Sequence, residues 1–498
     1  MLHFGALRGL REARILAVSS EHCHSLLTVT VKTRFAPSPT GLLHFGNVRT
    51  ALFNALFAKR AGGSFLLRVE DTDVARSREE YVRALQDDLH WLSLDWQEGE
   101  GAGGDAGPYR QSQRTDVYAT YLGQLQAQSL VYPCFCTSLE LEVSRKVQAA
   151  ASQPPRYNGK CSRLKPEEAS AKEAQGLPFT LRFRMPKATV IEFDDLVRGL
   201  QKFPSDDIGD FIVRRSDGTF AFFFVNAVDD ALMGVTHVMR GEDHLTNTPR
   251  QIALLQALGL PVPTYAHISL IVDKQGAPLS KRTGSLSVQE LKELGYFSGA
   301  VNNYLARLGH HFADSRFLTM EELAAQFSPE HLGRAPARYD RTQLDHWQAQ
   351  AVAHADAGTI TAWLLPHVLG MVPTEDFATF AEAVRDNVLF PHDAKLWAEA
   401  VYADALPLSD RAREVLEATP SGFFRHALHA LQPDMDFDAF ASRVKAASGA
   451  TGKQLFQPLR AALTGHLHGP EMPRLFKLIR FGRAKRRLSE HVLNTEVD

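Results

Sequence analysis

The sequence predicts an α/β fold with a parallel sheet in its N-terminal half, followed by an all-α C-terminal half. Three observations carry this expectation. Residues 28 to 71 read strand, turn, helix, strand. From about residue 288 the text becomes Ala- and Leu-rich, with helical spacing and few β-branched runs. At 498 residues the chain exceeds what one hydrophobic core serves, so roughly two to four domains are expected.

The first unit sets the chemistry. TVTVKTRFA (28–36) alternates and is β-rich, as a strand does. Val48, Leu52, Ala55, Leu56 and Lys59 then follow helical spacing until Gly62 and Gly63 end the run. SFLLRVED (64–71) reads as a second, largely buried strand. A helical crossover between two strands makes them parallel. Between strand and helix lies RFAPSPTGLLHFGN (34–47), a Pro-punctuated turn. Such a turn presents the helix N-terminus, where free N–H groups and the helix dipole favour phosphate. His44 and Asn47 stand three apart on the first turn and face one anion, while Gly46 has no Cβ to keep a base or ribose from the backbone. The turn is suited to a nucleotide.

Bulk properties narrow the class. Net charge is −2 and 22% of residues are charged, so any nucleic-acid contact must come from local basic patches. Four cysteines are too few for a secreted disulfide framework of this size. No apolar run reaches transmembrane length, and a cytoplasmic location is expected. Residues 1–29 are basic without a long apolar stretch, a poor secretory signal. They are read as an N-terminal extension, either a disordered tail or a mis-called start.

A second motif lies at GAPLSKRTGS (276–285), a Gly-, Pro- and Ser-rich loop whose Lys281 and Arg282 suit a polyphosphate. Alone it is weak, because Ser-Lys-Arg triplets are common on solvated loops. Together with PSPTGLLHFGN it resembles the two signatures of class I aminoacyl-tRNA synthetases, His44–Asn47 standing for one and Pro278–Arg282 for the other. RFAPSPTG, LLRVEDTD (66–73) and DDALMGVTHVMRGEDH (229–244) look like glutamyl-tRNA synthetase of the bacterial type, from about Val31 to the C-terminus. Glutaminyl enzymes usually read Pro-Glu-Pro-Asn-Gly where this chain has PSPTG, which favours glutamate.

The resemblance implies a Rossmann-type catalytic domain (30–113 and 222–271) and an inserted α+β acceptor-end-binding module (114–221). A stem-contact region with the Ser-Lys-Arg loop (272–345) and a helical anticodon-binding domain (346–498) would follow. It implies that ATP with Mg²⁺ activates L-glutamate and that the glutamyl group moves to tRNA(Glu), with tRNA(Gln) as a further acceptor, in a monomer. His44, Asn47 and Lys281 would be catalytic. Pro37, Gly46, Ser280 and Arg282 would join them around ATP. The glutamate pocket needs two cations and one anion: Arg240, with Arg34 sharing the work, for the carboxylates and Glu70 for the ammonium. Ala36, Ser38, Phe222 and Asn226 match other pocket positions. Two departures stand out: Pro278 replaces a usual lysine, and Phe222 replaces a usual tyrosine, so that glutamate affinity falls or another group takes over.

Cys134-x-Cys136 followed by Tyr157-x-x-x-Cys161 is a plausible thiolate cluster, against the alternative of three thiols packed as small hydrophobes. Related enzymes sometimes carry zinc with this pattern, which makes Cys134, Cys136, Cys161 and Tyr157 the expected ligands. Further on, Val301, Tyr304, Leu305 and Leu308 keep helical spacing, and Thr319 to Glu322 reads as a capping box. Arg480, Arg483, Lys485, Arg486 and Arg487 form a basic cluster, read either as an RNA contact or as a solvated helix face. The sequence also admits two other readings: a glutamyl-queuosine tRNA(Asp) synthetase, and a non-catalytic tRNA-binding paralogue. The roughly 190 residues after position 310 argue against the first, and the retained His44, Asn47, Lys281, Arg34 and Glu70 against the second.

Overall fold

The structure, a computed structural model, describes residues 30–73, 75–279 and 286–493. Strands β1 (Lys32–Phe35) and β2 (Ser64–Leu67) pair in parallel from Lys32–Ser64 to Phe35–Leu67, and α1 (Phe45–Arg60) crosses between them. The strands are shorter than the β-rich text suggested. Pro37 and Pro39 lack an N–H and stop β1 from extending its ladder. Beyond β2 the chain keeps its direction through isolated bonds: Arg68 N–H to the Phe35 carbonyl and Glu70 N–H to the Pro37 carbonyl, each 3.0 Å. Those two bonds lay Glu70 against the Pro-rich turn.

Helix α2 (Glu79–Trp91) leads to β3 (Glu98–Gly99), parallel to β2. After α3 (Thr115–Ala127) come β4 (Val131–Cys134), α4 (Ser138–Ala150), α5 (Pro166–Ala174) and β5 (Thr180–Phe183). A hairpin of β6 (Val190–Asp195) and β7 (Gly199–Pro204), the short α6 (Ser205–Ile208) and β8 (Phe211–Arg214) complete this stretch. Strands β4, β5 and β8 make an antiparallel sheet of their own. The β6–β7 hairpin instead joins the sheet that holds β9 (His237–Gly241) and β10 (Thr264–Ile268), in the order β7-β6-β10-β9. Helices α7 (Phe222–Leu232) and α8 (Thr248–Leu258) flank β9 in sequence. Thr236, just before β9, donates its N–H to the Lys32 carbonyl at 2.9 Å and joins this sheet to β1.

Two cores cover the parallel strands. Helix α1 buries Val48, Leu52, Phe53 and Leu56 against Phe35, Leu67 and helical residues as far as Trp347 and Ala351. On the other side Leu66, Val213, Phe224, Val238 and Leu254 form a second core. Among the described residues no strand follows Ala337–Arg338, and the helices from Arg341 onward share a third core between Val352 and Leu488. The capping boxes at Ser287 and Thr319 are formed, each hydroxyl accepting the N–H three residues on.

The basic cluster near the C-terminus divides: Arg480, Lys485 and Arg486 are exposed, as on a solvated helix face, whereas Arg487 is buried. Arg487 is 1% exposed and donates to the carbonyls of Ala400, Val401, Ala403 and Leu463. It ties the ends of two other helices to its own, because Ala484 and Leu488 beside it face the core. Arg480, where the helix Met472–Leu493 breaks at φ 61°, pairs with Asp376 at 2.9 Å, and Arg486 pairs with exposed Asp404 at 3.1 Å. Arg487→Ala therefore strands several buried carbonyls and should cost about 3 kcal/mol. Thermal unfolding checks this: Arg487→Ala lowers the midpoint by several degrees, whereas Arg486→Ala leaves it in place.

Candidate active site

A cavity of about 740 Å³ opens at the C-terminal ends of β1 and β9, the place where parallel sheets bind ligands. The exit of β1 contributes Arg34, Ala36, Pro37 and Ser38. The mouth of α1 contributes His44, Gly46 and Asn47, the chain after β2 contributes Glu70, α7 contributes Phe222 and Asn226, and β9 contributes Arg240. Every candidate residue from Arg34 to Arg240 outside the cysteine cluster thus lines one cavity. Ser280, Lys281 and Arg282 lie outside the described residues. The chain on both sides of them is anchored at the rim: Leu279 N–H bonds the Ile271 carbonyl at 3.0 Å, and Val288 N–H bonds the Leu43 carbonyl at 3.1 Å.

The α1 mouth has the character of an anion site. His44 is the extended N-cap residue, its carbonyl accepting the Val48 N–H at 2.9 Å, and no acidic residue stands in the first turn to oppose the dipole. A Cβ on Gly46 would meet nothing within 4 Å, so the cavity wall is open backbone there.

Behind the other wall lies a buried network of charges. Arg68, fully buried, donates to Asp230 Oδ1 at 2.8 Å and to Glu70 Oε1 at 3.0 Å. Arg34 Nε reaches the same Asp230 oxygen at 3.2 Å. Arg114 Nε donates to Asp229 Oδ1 at 2.7 Å. Burial works against the Asp230 carboxylate, yet Arg34 and Arg68 outweigh it and hold its pKa below the usual range. For Glu70 burial prevails over Arg68 and the pKa rises.

Arg240 differs from these three arginines. It is 5% exposed, and among the described residues it forms no ion pair. Its Nε donates to His267 Nε2 at 3.3 Å, and its Nη2 to Thr248 Oγ1 at 2.9 Å and Gln251 Oε1 at 2.6 Å. All three acceptors are neutral. Its Nη1 is buried with no hydrogen-bond partner. Burial, aided by Arg34, outweighs Tyr265, Asp230 and Glu70 and pushes its pKa down to about 10, so the group remains charged at neutral pH. A buried cation with an open donor pair calls for an anion.

Arg240 and Glu70 are joined through two side-chain amides. Gln251 Oε1 accepts from Arg240, Gln251 Nε2 donates to Asn226 Oδ1 at 2.8 Å, and Asn226 Nδ2 donates to Glu70 Oε1 at 2.5 Å. Guanidinium only donates and carboxylate only accepts, so both amides point one way. The cavity thus has a cationic end and an anionic end at fixed separation, the pattern for an amino acid with an acidic side chain.

A family profile described as tRNA synthetases class I (E and Q), catalytic domain, matches residues 30–346. The chain belongs to this family. It is 57% identical over 463 residues to the glutamate–tRNA ligase 2 of Nitrosococcus oceani, covering 93% of this chain and 98% of that one. It is 53% identical to the glutamate–tRNA ligase 1 of Methylococcus capsulatus, with 94% and 99% covered. Among solved structures, a glutamate tRNA ligase from Elizabethkingia meningosepticum in complex with its amino acid superposes with a TM-score of 0.84 at 28% identity, covering 93% and 99% of the two chains.

Against the family wording, Phe222 brings no hydroxyl. Its ring lies 5.7 Å from that of His244, which also lines the cavity. Burial, then Arg240, push His244 down to about 4, so it is a neutral polar group there. Arg49, Arg68, Asp230, His244, Gln251 and His267 had not been singled out from the sequence. For Asp230 a signal existed: Asn226 and Asp230 stand four apart on a helix whose only other polar residue is Asp229, so they share one face. Arg49 carries none. It donates to the Leu308 carbonyl at 2.9 Å and to the Ser269 carbonyl, fastening α1 to segments distant in sequence.

The cysteine cluster is compact. The sulfurs of Cys134, Cys136 and Cys161 all lie within 4.8 Å of one another, with Cys136 and Cys161 3.6 Å apart. Tyr157 Oη stands 3.4 Å from Cys134 Sγ and 3.5 Å from Cys136 Sγ, and accepts the Cys161 N–H at 2.8 Å. Tetrahedral zinc with thiolate bonds of about 2.3 Å spaces its sulfurs about 3.8 Å apart. The donor set and its spacing fit that metal.

The Arg68 network yields a stability test. Arg68→Met removes the charge shared by Asp230 and Glu70 and leaves two buried carboxylates short of a partner. Unpairing buried charge costs about 3–5 kcal/mol, so chemical denaturation should show a loss of this size at neutral pH.

Proposed function

We propose that the chain is a glutamate–tRNA ligase, which activates L-glutamate with ATP and transfers the glutamyl group to the 3′ end of tRNA(Glu). The observation that carries this reading is the buried Arg240, with its open Nη1 and no carboxylate of its own, across the amide relay from Glu70. The side-chain carboxylate of glutamate supplies the missing anion and Glu70 receives the ammonium. Arg34, already engaged by Asp230, is the weaker of the two cations and faces the α-carboxylate. Ala36, Ser38, Phe222 and Asn226 shape the rest of this pocket. Glutamine would leave Arg240 buried and unpaired, which disfavours it.

ATP lies toward α1. His44 and Asn47 hold its phosphates at the helix end, with Pro37 and Gly46 beside the nucleoside; Ser280, Lys281 and Arg282 join them around ATP by the family resemblance. Lys281 offsets the charge that develops on the α-phosphorus as the glutamate carboxylate attacks. No protein nucleophile is needed: alignment of two bound substrates and charge stabilisation carry the rate. Mg²⁺ arrives with ATP, bound by phosphate oxygens and water.

The domain assignment follows from the same reading. The catalytic domain spans 30–113 and 222–271, the acceptor-end module 114–221, the stem-contact region 272–345 and the anticodon-binding helices 346–498. The protein acts as a cytoplasmic monomer. No helix among the described residues is long and apolar enough to cross a membrane. tRNA(Gln) is a second acceptor to be tested beside tRNA(Glu).

Zinc is the metal proposed for Cys134, Cys136, Cys161 and Tyr157. It would be structural, joining β4 to the turn at 157–161. Metal analysis should find one zinc per chain, absent from Cys161→Ser. Stripping it with a chelator should lower the unfolding midpoint while leaving ATP binding intact.

Charging of purified tRNA(Glu) and tRNA(Gln) with labelled glutamate tests the function. Charging of at least one, abolished by Lys281→Ala, is the expected result; failure to charge either, with ATP still bound, would overturn it. Gln251→Glu sharpens the test. It places a carboxylate on Arg240 and occupies the cation from behind, so kcat/KM for glutamate should fall roughly 100-fold, the factor for about 3 kcal/mol of buried charge pairing.

A further inference from the structure

Arg240 lines the cavity, is held by three neutral acceptors and keeps a buried Nη1 without a hydrogen-bond partner. The register of the parallel pair β9–β10 sets Arg240 directly beside His267. His267 is fully buried, and its Nδ1 lies 2.6 Å from Asp195 Oδ2, at the end of β6. Asp195 is itself fixed by backbone N–H groups of Val197 at 2.9 Å, Arg198 at 2.8 Å and His267 at 3.1 Å.

The tautomer follows from the partners. A carboxylate only accepts, so Nδ1 carries the proton; a guanidinium only donates, so Nε2 presents its lone pair to Arg240 Nε at 3.3 Å. The Thr248 hydroxyl, 2.9 Å from the same Nε2, closes the arrangement. Of the five N–H groups on Arg240, Nε and Nη2 use three on His267, Thr248 and Gln251. The two on Nη1 are left over. The imidazole also stands between Arg240 and Asp195.

We propose that His267, anchored by Asp195, is a positioning residue for Arg240, turning its Nη1 edge to the substrate's side-chain carboxylate and keeping Asp195 from occupying the cation. The inference rests on the assignment of Arg240 to glutamate. It makes a residue that never touches substrate a determinant of the choice between glutamate and glutamine.

The test is steady-state adenylate formation by the full chain, with KM for glutamate, KM for ATP and the kcat/KM ratio of glutamate over glutamine measured together. His267→Ala should raise KM for glutamate by roughly tenfold or more, leave KM for ATP within about twofold and lower the preference over glutamine. His267→Gln, whose side-chain oxygen can accept the Arg240 N–H, should recover most of the loss. A general structural role would move both KM values together and would not be rescued by an acceptor. Parallel shifts, an unchanged preference in folded His267→Ala, or no rescue by His267→Gln each overturn the proposal. Should His267→Ala fail to fold, Asp195→Asn replaces it: a selective rise in KM for glutamate supports the anchor, and an unchanged value overturns it. Arg240→Ala separates the two levels. If it leaves KM for glutamate unchanged, the reading of Arg240 itself fails. If it raises KM while His267→Ala does not, only the positioning role fails.

Discussion

A single buried charge organises this active site. Arg240 sits on β9 at 5% exposure, and neutral groups alone hydrogen-bond it among the described residues. Removing a cation from water without giving it an anion is costly, and the fold offsets only part of that cost through three acceptors and the Tyr265 ring 5.4 Å from the guanidinium. What remains unsatisfied is a specification for the ligand. Elsewhere in the same layer Arg34, Arg68 and Arg114 each have a carboxylate at hydrogen-bond distance. The contrast makes the open donor of Arg240 a property of the site rather than of its surroundings.

The architecture supplies the means. Parallel register sets Arg240 beside His267; the first turn of α8 puts Thr248 and Gln251 on one face; and α7 brings Asn226 and Asp230 to the same layer through its four-residue spacing. Each of these elements is fixed by apolar packing on its far side, around Phe224, Val238 and Leu254. Rigid elements hold polar groups to the small tolerances that discrimination between a carboxylate and an amide requires. The α1 mouth stands on the other side of the cavity, the side to which the proposed function assigns the nucleotide.

Much of this was legible in the sequence, for a physical reason. The strand–turn–helix–strand text around Arg34, His44 and Asn47 is local, and local patterns of turn residues and apolar spacing are what a sequence displays directly. The cysteine spacing is likewise short-range, and the three thiols and Tyr157 do converge. What stayed hidden is long-range. Gln251 and His267 matter only because α8 and β10 fold back on β9, and Asp195 only because a hairpin distant in sequence joins the same sheet. Arg487 was hidden within the basic cluster at 480–487 because charge reads as exposure in a sequence, while its apolar neighbours on the helix face bury it and helix-end carbonyls take up its donors.

The most direct test of the central claim is a crystal structure of the chain with L-glutamate bound. The account predicts a side-chain carboxylate oxygen about 3 Å from Arg240 Nη1, with the His267, Thr248 and Gln251 contacts retained. A side-chain carboxylate resting on Arg34 instead, with Nη1 of Arg240 bound to water or turned toward Asp195, would contradict it.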